Sequence, residues 1–245
     1  MTMGNQFPDA RSVQRRLTRV DKLSHDLLEL CRRGSPHGLP LAGISGIDGS
    51  GKSTLAAKLE AALRSEGVRV ALLGIDDWHN PPAVRFGDPD PGLRFFEKGL
   101  RFADLLEQVL LPLRAHGSIE VTADVMQTQD REPRRKTFSF RSIDLILFEG
   151  VFVFQRELQP LFDLAVWVEC SFETALQRAL ARNMEGLSES ELLRDYHTIY
   201  YPAQRYHIQR DNPLEFAQLI FAADEDSTPA MPPGVAESFA IEERP

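Results

Sequence analysis

The stretch LPLAGISGIDGSGKST (residues 39–54) decides how this 245-residue chain folds. It opens with a short apolar run that stops in glycine, the pattern of a buried strand. It continues as Gly46-Ile47-Asp48-Gly49-Ser50-Gly51-Lys52-Ser53, which matches G-x-x-x-x-G-K-[ST]. Leu55, Leu59 and Leu63 then recur every four residues, which marks a helix. A glycine-rich turn between a buried strand and a helix N-terminus is suited to holding phosphate. Glycine permits backbone conformations that side chains block. Successive N–H groups can therefore turn inward as an anion nest, and the helix dipole adds about half a positive charge. Lys52 adds a mobile positive charge, the Ser53 hydroxyl suits Mg²⁺, and Thr54 can donate to an α-phosphate. The expected contacts to ATP are Gly46, Asp48, Gly49, Ser50, Gly51, Lys52, Ser53 and Thr54.

Working outward, VRVALLGID (68–76) reads as a second buried strand. Strand, helix and strand at this spacing form a βαβ unit, so the fold class is α/β with a parallel sheet. IDLILFEG (143–150), DLAVWVEC (163–170) and FAQLIF (216–221) supply further candidate strands. Residues 102–110, 171–182 and 188–201 carry helical patterns, whereas 77–98 is proline-rich and irregular and 117–141 is polar. On the N-terminal side, Val13, Leu17, Val20, Leu23, Leu27 and Leu30 form the stripe of an amphipathic helix over 12–33. The expected division is an N-terminal helical segment (1–38), a catalytic domain (39–222) and a disordered acidic tail (223–245).

Bulk composition narrows the function. A formal net charge of −8 argues against nucleic-acid binding. No run reaches the ~20 apolar residues of a membrane span, and the N-terminus lacks a secretory apolar core. Cys31 and Cys170, without metal spacing, read as reduced thiols of a cytoplasmic protein.

Carboxylates stand at two strand ends where chemistry would need them. Glu149 ends the apolar run Leu145-Ile146-Leu147-Phe148, so it can face a Mg²⁺ shell beside Ser53. Asp76 and Asp77 close the strand after the phosphate-loop helix, where ligands of α/β sheets bind. Either could accept a proton from an attacking hydroxyl; a buried strand shows no alternation to choose between them. Arg178 and Arg182, four apart on a helix, share a face and could clamp a transferring phosphoryl group. Tyr196, Tyr200, Tyr201 and Tyr206 either line a pocket or pack helices, and packing is the expected use.

Taken together, GISGIDGSGKST, IDDWHN, LILFEGVFVF, RALAR and YYPAQRYHIQR resemble the uridine kinase / phosphoribulokinase-like group of P-loop kinases, over about residues 40–222. That resemblance implies a three-layer α/β/α sandwich with a helical lid, in a family where oligomers are common. It implies Asp76 as catalytic base, Glu149 as the Mg²⁺-associated acid, and Arg178 and Arg182 as lid arginines reaching the phosphates. It also implies transfer of the γ-phosphate of ATP to a hydroxyl of a small metabolite. The chain departs from uridine kinases at Ala123, where a tyrosine is usual, and at Trp78-His79-Asn80, where Phe-Tyr-Arg is usual. Nucleosides such as uridine, pantothenate, glycerate, nicotinamide riboside and sugar phosphates therefore stay open as acceptors. Competing classes lack their marks: there is no Asn-Lys-x-Asp for a GTPase and no Leu-Ser-Gly-Gly-Gln for a transporter ATPase. A nucleotide-binding scaffold or simple ATPase is the remaining alternative.

Overall fold

The strands that end in Gly46, Glu149 and Gly74 lie side by side, in that order, at one end of a six-stranded sheet. A computed structural model describes residues 17–87, 89–182 and 186–223. The strands are β1 (Leu17–Thr18), β2 (Leu41–Gly46), β3 (Val70–Gly74), β4 (Ile119–Val125), β5 (Arg134–Phe140), β6 (Leu145–Glu149), β7 (Leu164–Glu169) and β8 (Leu219–Ala222). The large sheet runs β1-β8-β7-β2-β6-β3, and every pair in it is parallel. β4 and β5 form a separate antiparallel hairpin.

Alternation along continuous apolar strands fills two cores. Leu145, Leu147, Val166 and Val168 face one side, while Ile146, Phe148, Ala165 and Trp167 face the other. The first side is covered by α1 (Val20–Arg33), through Leu23, Leu27 and Leu30, and by α2 (Lys52–Ser65), through Leu55, Leu59 and Leu63. The second is covered by α3 (Pro91–Lys98) and by α4, a helical stretch over 102–116 with a π turn at Leu106–Leu110. This is the three-layer sandwich. Both layers bury their apolar stripe because a parallel sheet leaves neither face for water.

Further along, α5 (Phe172–Arg182) and α6 (Glu189–Asp195) lead through a π turn, Tyr196–Tyr200, into α7 (Tyr201–Asp211). Ala179, Leu192, Tyr196 and Tyr201 give this lid region a small core of its own.

Several expectations shift. The helix expected from residue 12 begins at Val20; Arg19 is extended, and Leu17 and Thr18 pair with Ile220 and Phe221 to extend the sheet beyond β8. Positions 12–16, and the tail from 224 onward, lie outside the described residues. The last strand starts at Leu219 because Pro213–Phe216 form a helical turn. The polar 117–141 segment is the β4–β5 hairpin, whose exposed side chains hid its alternation. The irregular 77–98 segment contains α3, opened by Pro91 and capped by Asp90, whose carboxylate accepts from Leu93 N at 2.9 Å.

Candidate functional site

The phosphate loop leaves β2 and enters α2 with Gly49 at φ 78° and Gly51 at φ 98°, both in the left-handed region. A side chain at Gly49 would also meet the Ala175 carbonyl oxygen of α5 at 2.4 Å, so the lid helix rests directly on the loop. Gly46 is closed in by the Val168 carbonyl. Lys52 is buried, and its Nζ donates to the Ile47 carbonyl at 2.8 Å across the loop. Ser50 is fully buried, with no partner for its hydroxyl among the described residues.

At the end of β6, Glu149 Oε1 accepts from the Ser53 hydroxyl at 3.2 Å. Its Oε2 is buried and unpartnered among the described residues. Burial, and next the Asp76 charge, push the Glu149 carboxyl up to about 7, against lowering by Lys52 and Ser53. A carboxylate that is costly to ionise and has an idle oxygen beside a serine hydroxyl fits a hard cation with oxygen ligands.

β3 stops at Gly74, and a tight turn over Ile75–Asp77 separates the two aspartates. Asp77 is tied to the hairpin: Lys136 Nζ lies 2.5 Å from Oδ2, Gln127 Nε2 donates to Oδ1 at 2.7 Å, and Arg134 approaches to 3.5 Å. Its carbonyl accepts from Met126 N at 2.7 Å. Asp76 instead opens onto a cavity of about 250 Å³ beside the phosphate loop. Desolvation in the depth of that cleft raises its pKa, with Asp48 and Asp77 adding to the rise and Lys52 and Arg182 opposing it. The Asp76 side chain is nevertheless exposed in the open cavity, so solvent screens part of that rise.

The cavity brings Asp48, Asp76 and Arg182 together with Tyr200, expected mainly to pack helices, and with walls that the sequence reading had not assigned to a site. Phe95, Phe152 and Tyr200 supply apolar surface, and Gln127, Thr128, Gln129 and Gln204 supply neutral polar groups. His79 lies in the wall, held at Nε2 by Thr128 Oγ1 at 3.2 Å. Burial and then the Arg85 charge push its pKa down to about 3, so the ring is neutral. The polar tripeptide Gln127-Thr128-Gln129 is the one local signal that could have pointed to this wall, and nothing local sets Phe95 and Phe152 apart from core aromatics.

The two lid arginines part company. Arg182 lines this cavity and reaches Asp48 Oδ1 at 3.4 Å. Arg178 reaches the Ser50 carbonyl at 3.4 Å and lines a second cavity of about 300 Å³ with Gly51, Thr54 and Lys58. Three tyrosines anchor structure: Tyr196 donates to Asp48 Oδ2, Tyr201 to the Phe172 carbonyl at 2.6 Å, and Tyr206 to Asp90 at 2.6 Å. Tyr200 alone of the four lines the cavity beside Asp76.

A phosphate loop, a Glu-terminated neighbouring strand and a lid helix resting on the loop form one cleft, and residues 41–191 match the model of the Phosphoribulokinase / Uridine kinase family. The chain belongs to that family. The membership carries kinase-type phosphotransfer and a P-loop nucleotide site. Among solved structures, a protein described as a possible uridine kinase from Bacillus stearothermophilus shares the fold. It has a TM-score of 0.65 and 23% identity, covering 82% of this chain and 96% of that one. D-glycerate 3-kinase from Cryptococcus neoformans var. grubii has a TM-score of 0.55 and 14% identity, covering 77% and 89%. At these identities the likeness concerns the fold. No curated protein matches the chain. Among the described residues no helix is long and apolar enough to cross a membrane.

Proposed function

We propose that this family member transfers the γ-phosphate of ATP to a hydroxyl of a small, uncharged, hydroxyl-bearing metabolite, with a nucleoside such as uridine the leading class. The observation that carries the reading is the cavity beside the phosphate loop, with Asp76 open to it on one side and Arg182 on another. Two carboxylates, Asp48 and Asp76, stand there against one lining arginine, and the other polar groups are neutral amides, a hydroxyl and a neutral histidine. A carboxylate or phosphorylated acceptor would meet that negative field, whereas hydroxyls and carbonyls would meet donors and acceptors. Phe95, Phe152 and Tyr200 suit a flat or apolar part of the same molecule.

In the proposed mechanism ATP lies on the loop 46–54 with Lys52 drawn to its terminal phosphates; Asp48 is excepted, because its N–H is held by Gln204 and its carboxylate by Tyr196 and Arg182. The acceptor hydroxyl is held against Asp76. As its oxygen bonds to the γ-phosphorus, the bond to the β-bridging oxygen breaks and that electron pair leaves on ADP. The hydroxyl proton passes to Asp76, whose upward-shifted pKa favours taking it. Arg182 lies on the same cavity wall to offset charge on the transferring group. Ser53 and Glu149 are the oxygen donors suited to Mg²⁺, which when bound would neutralise phosphate charge. Closure of α5 to α7 over the cleft keeps water from competing as acceptor.

The test is acceptor-dependent ADP release with Mg·ATP across uridine and other nucleosides, pantothenate, nicotinamide riboside, glycerate and sugar phosphates. The expected hit is an uncharged acceptor. Preference for pantothenate, glycerate or a sugar phosphate, all of them anions, would overturn the charge argument. No acceptor above background hydrolysis would favour a scaffold or ATPase.

A further inference from the structure

Asp48 sits within the phosphate-loop motif, yet its side chain turns away toward the lid. Its Oδ2 accepts from Tyr196 OH and its Oδ1 from Arg182 at 3.4 Å. Its backbone N–H donates to Gln204 Oε1 at 2.9 Å. One loop residue thus binds α5, the π turn and α7 together. Burial alone would raise the pKa of Asp48. The Lys52 charge, the Tyr196 hydroxyl and the Arg182 charge outweigh it, and the carboxyl is lowered into its ionised form.

Tyr196 is fully buried in the lid core and emerges at Asp48 only through its hydroxyl. The π turn that begins there carries Tyr200 four residues on, and its ring meets Phe95 edge-on at 5.2 Å. Tyr200, Gln204, Arg182 and Phe95 all line the acceptor cavity. Two contacts of Asp48, Arg182 and Gln204, therefore end on walls of the cavity, and the third, Tyr196, opens the turn that carries Tyr200 there. A π turn inserted in an otherwise α-helical run is often retained where geometry matters more than helix stability.

We propose that Asp48 is a positioning residue that couples the phosphate loop to the lid, so that Arg182, Tyr200 and Gln204 take their places around the acceptor only while the lid is docked on the loop. The proposal rests on the kinase reading for its kinetic consequence but not for its structural one. Asp48 would not itself touch ATP; it would act through Tyr196, Arg182 and Gln204.

The decisive experiment compares wild type with Asp48→Asn, Tyr196→Phe and the double variant. Amide hydrogen exchange without acceptor should quicken at 172–182 and 196–204, with β2 and β6 unchanged. ATP affinity should stay within about twofold. With an acceptor, its KM and the ratio of ATP hydrolysis to transfer should each rise on the order of 10-fold, the scale of one charge-assisted hydrogen bond. The double variant should be little worse than either single one, because both break the same link. Unchanged exchange in the lid overturns the coupling. Equal losses in ATP affinity and acceptor KM return Asp48 to the nucleotide cradle and also overturn it. If no acceptor is found, the exchange result still decides the coupling, and the failure belongs to the kinase reading.

Discussion

The phosphate loop and the acceptor cavity share a boundary but are built in opposite ways. The loop is one continuous run, Gly46 to Thr54, whose shape follows from glycine backbone freedom and the start of one helix. The cavity is assembled from Asp76 and His79 after β3, Phe95 on α3, Gln127 to Gln129 beyond β4, Phe152 after β6, and Arg182, Tyr200 and Gln204 in the lid. Phosphate binding needs only main-chain N–H groups and a cation, so a short local motif suffices. Choosing an acceptor needs surfaces on several sides, which only distant segments can supply.

Replacing Asp76 breaks the comparison most severely. Asp76→Asn should lower kcat on the order of 10²- to 10⁴-fold, with ATP affinity unchanged in direct binding. Equal loss of both would remove Asp76 as the base.

Glu149 ties the loop to its neighbouring strand at a cost in stability. Its carboxyl sits at about 7 in the folded protein against an ordinary 4.5. A raised acid favours the folded state while protonated. That contribution is full below about 4.5 and is lost as pH rises through about 7. Without nucleotide, Glu149→Gln should therefore melt higher than wild type at pH 8, by up to roughly 3 kcal/mol, and the gap should close at pH 4.5. The same variant should lose transfer activity. A gap that does not move with pH would count against the buried, ionised carboxylate.

The two lid arginines sharpen the contrast between the two sides. Arg182→Ala should lower acceptor kcat/KM about 10-fold with little change in ATP affinity, and Arg178→Ala should do the reverse. Identical kinetic profiles for the two would mean that they act as a single clamp. The smallest effect is expected at Asp77. Asp77→Asn loosens the hairpin by losing partly exposed ion pairs to Lys136 and Arg134, so acceptor KM should rise a few-fold, less so at high salt. A loss as large as that of Asp76→Asn would show that the two aspartates had been assigned the wrong way round.

Much of the sheet was legible because a parallel strand, buried on both faces, must be apolar throughout. Leu145 to Phe148 and Ala165 to Val168 announce themselves that way. The β4–β5 hairpin was not legible because one of its faces meets water, and its arginines and lysine read as loop. Leu17 continues the helical stripe in the sequence, yet Arg19 is extended and the pairing partner that makes Leu17 a strand, Ile220, lies 203 residues away.

By itself the sequence determined the phosphate loop, the α/β class and carboxylates at the ends of β3 and β6, since these depend on local backbone chemistry and apolar runs. Only the tertiary structure decided that Asp76 faces the cavity while Asp77 holds the hairpin, because the tight turn at Ile75–Asp77 sets their directions. It also turned Asp48 toward the lid and sent Arg178 and Arg182 to different cavities. Those outcomes depend on which distant segment meets each side chain, and no local pattern encodes that meeting.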